Sequence, residues 1–120
     1  MWAVGTQNLN QTVTEHWDGT AWTLVPSPTI TASNAQDTLI GVTALGTGDV
    51  WAVGQTLSNF TTTSTLALHW DGTSWQIVPS ANASTTADTL NAVTGTAPGQ
   101  ALWAVGQGAN ADALIETTTG

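Results

Sequence analysis

Three copies of Trp-Ala-Val-Gly, at residues 2–5, 51–54 and 103–106, and two of His-Trp-Asp-Gly, at 16–19 and 69–72, divide this 120-residue chain into tandem units. The leading tryptophans are 49 and 52 residues apart and the two histidines 53 apart. At that period each unit is one supersecondary element, which cannot bury its apolar face alone and must stack on a neighbour. The chain holds about two and a third such units.

Seven tryptophans and a hydrophobic content of 41% supply a core. There is no Lys or Arg against six Asp and two Glu, a formal net charge of −8. Nucleic acid is thereby excluded as a partner, because binding a phosphate backbone depends on cationic side chains displacing condensed counterions. Anionic membrane surfaces are disfavoured on the same ground. Without cysteine there is no disulfide, thiolate metal site or thiol nucleophile. Solubility rests on uncharged polar residues, 24 of them threonine. No apolar run approaches the roughly 18 residues of a membrane span. No basic stretch of a signal peptide precedes the repeat at Trp2.

Four short segments recur in order, each rich in β-branched and aromatic residues and bounded by Gly, Pro, Asn or Asp, and each reads as a strand. Strand a is 39–45 and 90–94; strand b is 50–54, echoed at 1–5 and 102–106. Strand c is 12–17 and 65–70, with a looser copy at 113–118; strand d is 22–25 and 75–78. Along strand c, Leu66, Leu68 and Trp70 alternate with Ala67 and His69, the period of a pleated strand. Asp18-Gly19 and Asp71-Gly72 stand between c and d and predict tight hairpin turns, since both residue types tolerate positive φ. Val-Pro-Ser at 25–27 and 78–80 ends strand d, because proline cannot continue a central ladder. The expectation is an all-β chain of four-stranded antiparallel units in an open arc. Residues 1–38 carry b, c, d and a linker, 39–89 carry a to d and a linker, and 90–120 carry a, b and c.

Val50-Trp51-Ala52-Val53-Gly54, then Trp70-Asp71-Gly72-Thr73-Ser74-Trp75 and Val78-Pro79, resemble the kelch and galactose-oxidase-like β-propeller repeats. The Trp-Ala-Val-Gly, His-Trp-Asp-Gly and Val-Pro-Ser-Pro series is similar in particular to tandem repeats of secreted bacterial proteins. The chain departs from the kelch pattern where Thr6, Gln55 and Gln107 replace a second glycine. The resemblance implies propeller blades and an extracellular or cell-surface location. It does not bring the copper radical site of galactose oxidase, which needs the tyrosine and cysteine this chain lacks.

The tryptophans Trp2, Trp17, Trp22, Trp51, Trp70, Trp75 and Trp103 share registers between copies, which marks them as repeat core rather than ligand platforms. His16 and His69 occupy equivalent places in different units, too far apart for one metal ion, and Thr117 breaks the series. Asp18, Gly19, Asp71 and Gly72 are turn formers; Asp37 and Asp88 precede strand a. No catalytic residue, metal or cofactor is expected. The sequons at Asn10, Asn59 and Asn82 arise readily in so Thr- and Asn-rich a chain. Between copies, spacing varies at the b–c and d–a connections, so one loop face is the candidate binding surface, with Asn8, Asn10, Asn34, Asp37, Asn59 and Phe60 as contacts. The function expected is a non-enzymatic scaffold or recognition module for a protein or glycan, completed by further blades of the same protein or by homo-oligomerisation. The alternatives are a segment of a polysaccharide-active propeller enzyme whose catalytic groups lie in other blades, and a gene fragment without independent function.

Overall fold

The computed structural model describes residues 1–30, 34–82, 86–109 and 113–119, and in 113–119 the side chain of Ile115 alone. The strands are β1 (Trp2–Gln7), β2 (Gln11–Trp17), β3 (Trp22–Val25), β4 (Gln36–Gly46), β5 (Asp49–Ser58), β6 (Thr62–Trp70), β7 (Trp75–Val78), β8 (Thr89–Gly95), β9 (Ala101–Gln107) and β10 (Ala113–Thr119). They form three separate antiparallel sheets, ordered β1-β2-β3, β4-β5-β6-β7 and β10-β9-β8. No α-helix occurs among the described residues. The sheets do not close on one another. β4 begins at Gln36, earlier than the strand expected from Leu39, because Asp37 is drawn into the stack by bonds from its N–H and to its carboxylate.

The middle sheet is apolar on both faces. Leu39, Val50, Ala52, Leu66, Leu68 and Trp75 face the first sheet, where Trp2, Val4 and Val25 meet them. Val53 and Ala67 face the third, against Leu90, Val93 and Ala104. The alternation along strand c thus sorts side chains between two interfaces instead of between core and solvent.

Both interfaces are fastened alike. Thr12 Oγ1 pairs with Ser27 Oγ at 2.8 Å and donates to the Pro28 carbonyl at 3.0 Å; Thr65 Oγ1 does the same with Ser80 (2.7 Å) and Ala81 (3.0 Å). Asp37 N donates to Asn10 O, and Asp88 N to Thr63 O. The Val-Pro-Ser serine therefore does more than follow a strand-ending proline: it ties each linker back onto strand c.

A repeated bulge explains the glycine of Trp-Ala-Val-Gly. Register slips between Leu39 and Gly41 on β4 and between Leu90 and Ala92 on β8, so one extra residue bends each strand toward its partner. A Cβ on Gly54 would run into the Thr38 carbonyl oxygen and lie 2.9 Å from Leu39 Cα; one on Gly106 would meet Thr89 O and lie 2.8 Å from Leu90 Cα. Gly5 differs. Among the described residues no strand pairs with β1 on its far side, and a Cβ there would touch only Val13 Cγ1, at 3.6 Å.

The c–d turns lie where the expected strand bounds leave them: Trp17 and Trp22 pair directly, as do Trp70 and Trp75, so four residues span each turn. Only the glycines have positive φ, 102° at Gly19 and 100° at Gly72. Asp18 Oδ1 accepts from Thr20 N and Ala21 N, and Asp71 Oδ1 from Thr73 N and Ser74 N; this side-chain turn takes the place of a two-residue primed turn. These bonds hold both carboxyls below their usual pKa. One expectation needs correction: the tryptophans are not uniformly core. Trp75 is 5% exposed, but its counterpart Trp22 is 44% exposed and Trp103 is 50% exposed, because the faces that carry them have no sheet opposite.

Candidate functional site

The two variable connections meet at one end of the stack, through the Asn10–Asp37 bond at one interface and the pairing of Thr63 with Thr86 and Asp88 at the other. The b–c connections themselves are not loops of different length. Trp2 faces His16 and Trp51 faces His69 in register, and the four extra residues of the second unit lengthen the β5–β6 ladder by two per strand. Each hairpin ends in the same tight turn, closed by Asn10 N→Gln7 O at 3.2 Å and by Thr61 N→Ser58 O at 3.1 Å.

Both turns have positive φ at their two central residues: 51° and 66° at Asn8 and Leu9, 51° and 60° at Asn59 and Phe60. That is the signature of the primed hairpin turn, which suits Asn at the first place and Gly at the second. Here the second place holds Leu9, 85% exposed, and Phe60, 64% exposed. Bulky side chains are strained at positive φ, and neither tip residue gains burial in return. Phe60 thus stands exposed at its turn tip, as a candidate contact would. Asn8, Asn10 and Asn59 flank the tips and are exposed, and Asn34, at φ 58°, is exposed just before β4.

Asp37 does not belong to this surface. It is fully buried in β4, its Oδ2 accepting from Ile30 N. Burial raises its carboxyl pKa, and the Ile30 N–H and the nearby Thr56 hydroxyl only partly offset that. Thr56 lies outside hydrogen-bond geometry, so Asp37 Oδ1 and Thr56 Oγ1 each lack a partner. A local turn propensity cannot reveal such an inward-facing carboxylate.

Sequence reasoning passed over a second cluster, at the opposite end. Asp49 Oδ1 accepts from His69 Nε2 at 2.8 Å and Trp51 Nε1 at 3.0 Å, and Oδ2 accepts from Gly99 N at 3.1 Å. Burial opposes ionisation of Asp49, but the bonds from His69, Gly99 and Trp51 outweigh it and hold the carboxyl below its usual pKa. The group borders a cleft of about 240 Å³ between the second and third sheets, lined also by Gly48, Gln100 and Leu102. No third acid, His or Cys completes a metal-holding group among the described residues. Ala101 stands where the third unit would repeat Asp49, so comparing copies gave no signal. With both carboxylate oxygens bonded, the cluster works as a brace from the β8–β9 turn to β5 and β6.

Each histidine packs on the tryptophan opposite it, His16 on Trp2 with ring centroids 4.8 Å apart and His69 on Trp51 at 4.4 Å. They lie in different sheets and are not brought together. Thr117 stands opposite Trp103 in the corresponding register. Asn82 accepts from Thr65 N, and the rest of its sequon lies outside the described residues.

No family model matches this chain, and neither a curated protein nor a solved structure gives a match.

Proposed function

We propose that the chain is an arc of a β-propeller, each sheet a blade, and that it works outside the cell as a non-enzymatic recognition module for neutral glycans or uncharged protein surfaces. Support for the propeller reading comes from the repeated bonds that join each sheet to the next, Asp37 N to Asn10 O and Asp88 N to Thr63 O, since one operation applied in series generates a ring of blades. The recognition reading is carried by the exposed hydrophobic residues at the primed turn tips, Leu9 and Phe60. An aromatic face flanked by Asn amides suits a sugar ring, which offers an apolar face and hydroxyls together. The absence of cations argues against acidic ligands.

A glycan array of neutral polysaccharides tests this, followed by calorimetry on any hit. The expected result is binding that falls roughly thirty-fold in Phe60→Ser, the ~2 kcal/mol of an aromatic hot spot, with the thermal midpoint unchanged. An array without a hit would overturn the glycan reading, and a Phe60→Ser variant that binds equally well would overturn the role of the turn tip.

A further inference from the structure

We propose that the free edge of β1 is a docking site for one more β-strand of the β4 type, carrying the pattern Asp-Thr-Leu-x-Gly-Val and supplied by another repeat of this kind. The proposal is independent of the glycan reading.

The first observation is Gly5. At Gly54 and Gly106 the glycine is required because the bulged neighbour strand presses its backbone into the space a Cβ would take. Gly5 has the same motif and position with nothing pressing on it. Its φ is not in the left-handed region, so backbone conformation does not call for glycine there either. A strand bulged like β4, with its leucine opposite Gly5, supplies the missing reason.

The second observation concerns how successive strands overlap. β8 packs across β4, β5 and β6, whereas β4 packs across β1 and β2. At the first interface the position that β4 itself occupies at the second is open. Gly41 shows what that position demands: a Cβ there would lie 3.1 Å from Ala92 Cα and 3.2 Å from Asn91 O, the bulge of the next sheet. An incoming strand would pass under the equivalent bulge, Ile40-Gly41, and needs a similarly small residue.

Register with β5 then fixes the docked geometry. Leu39 pairs with Gly54, Gly41 with Val53 and Val42 with Ala52, so the corresponding residues of the guest stand opposite Gly5, Val4 and Ala3. Its leucine and valine cover the outward face of the first sheet, where Met1 is 75% exposed, Trp22 44% and Leu24 61%. Strand addition of this kind takes its affinity from main-chain bonds and its selectivity from alternate side chains.

The probe is a labelled synthetic peptide of residues 36–46, titrated into the full chain by fluorescence anisotropy, with hydrogen exchange reporting on β1. The expected results are saturable binding and slowed exchange of the β1 amides. Binding should weaken by roughly ten-fold or more with a peptide carrying Gly41→Val or Leu39→Asp, and equally when the protein carries Gly5→Val. Gly5→Val should not lower the thermal midpoint, because its Cβ meets only the Val13 side chain, at an ordinary 3.6 Å; Gly5→Ala, smaller still, serves if the valine variant misfolds. Absence of β1 protection would overturn the proposal, as would undiminished peptide binding by a folded Gly5 variant. A dimer formed by pairing of two β1 edges, seen by light scattering and unaffected by peptide, would overturn it as well.

Discussion

Alanine in place of the glycine of Trp-Ala-Val-Gly should change stability in opposite directions in different copies. At Gly54 the new methyl would sit 2.9 Å from Leu39 Cα and closer still to the Thr38 carbonyl, and neither is the mobile end of a side chain. Relief requires β4 to move off β5 in the centre of the molecule. Overpacking of this kind costs about 1–3 kcal/mol. Gly106 faces the same collision with Thr89 and Leu90, at the interface where Leu90 packs on Val53 and Ala67 of the middle sheet. At Gly5 the methyl enters ordinary contact with Val13. There the dominant effect is on the unfolded chain, which loses conformational freedom, and the folded state gains about 0.4–1 kcal/mol.

For a domain of this size 1 kcal/mol moves the thermal midpoint by about 4 °C. Gly54→Ala should therefore lower it by about 4–12 °C, and Gly5→Ala should raise it by about 2–4 °C. Circular dichroism melts and urea titrations followed by tryptophan fluorescence would measure both. If Gly5→Ala is destabilising to the same degree as Gly54→Ala, the glycine serves the strand itself and the bulge argument is wrong.

Three further outcomes are expected. Trp75→Ala should cost about 3–5 kcal/mol as a buried aromatic truncation, and Trp22→Ala about 1 kcal/mol or less, because Trp22 is 44% exposed; equal losses in urea titrations would refute the assignment of interfaces. Asp37 has a raised carboxyl pKa in the fold, so its own contribution to stability is fully present below the usual carboxylate range and declines as pH rises through the raised value. Asp37→Asn keeps the acceptor for Ile30 N and adds a donor for Thr56. It should flatten that decline without loss of stability at neutral pH, and urea midpoints at acidic and neutral pH would show it. Asp49 has a lowered pKa, so its contribution is present above the usual carboxylate range and lost as pH falls through the depressed value. Asp49→Ala should release the β8–β9 turn at any pH, seen as faster amide exchange at Gly99; unchanged exchange there would contradict the bracing role.

The strands were legible because repetition supplied their registers. Trp-Ala-Val-Gly marks β1, β5 and β9, and the spacing from His16 to Trp22 and from His69 to Trp75 sets the second hairpin of two sheets. Neighbours were harder to read than positions. Trp22 and Trp75 are the same letter in the same frame, yet one is half exposed and the other buried, because burial depends on which sheet stands opposite. The extra residues between Trp51 and His69 suggested a longer loop, but an even insertion split between paired strands preserves register and lengthens the ladder instead. Asp37 looked like a turn former and is a buried acceptor; Asp49 is matched by Ala101 in the third unit and gave no pattern.

The lengthened hairpin also shapes the candidate surface. Asn10 O and Thr63 O receive equivalent bonds from the following strands, so both linkers cross their hairpins at the same height. In the first unit that height is the turn itself. In the second, the ladder continues for two more residues on each strand, which carries Asn59 and Phe60 about 7 Å farther out. Leu9 and Phe60 therefore stand as a low and a high contact on adjacent sheets, with exposed Asn34 set just before the strand that separates them. A flat ligand would meet Phe60 alone. If the proposed recognition reading holds, a chain laid across the step is the ligand shape that would meet both apolar tips. The constant repeat residues have no part in that choice: they set the spacing of the sheets, and the unequal hairpins built on that spacing create the step.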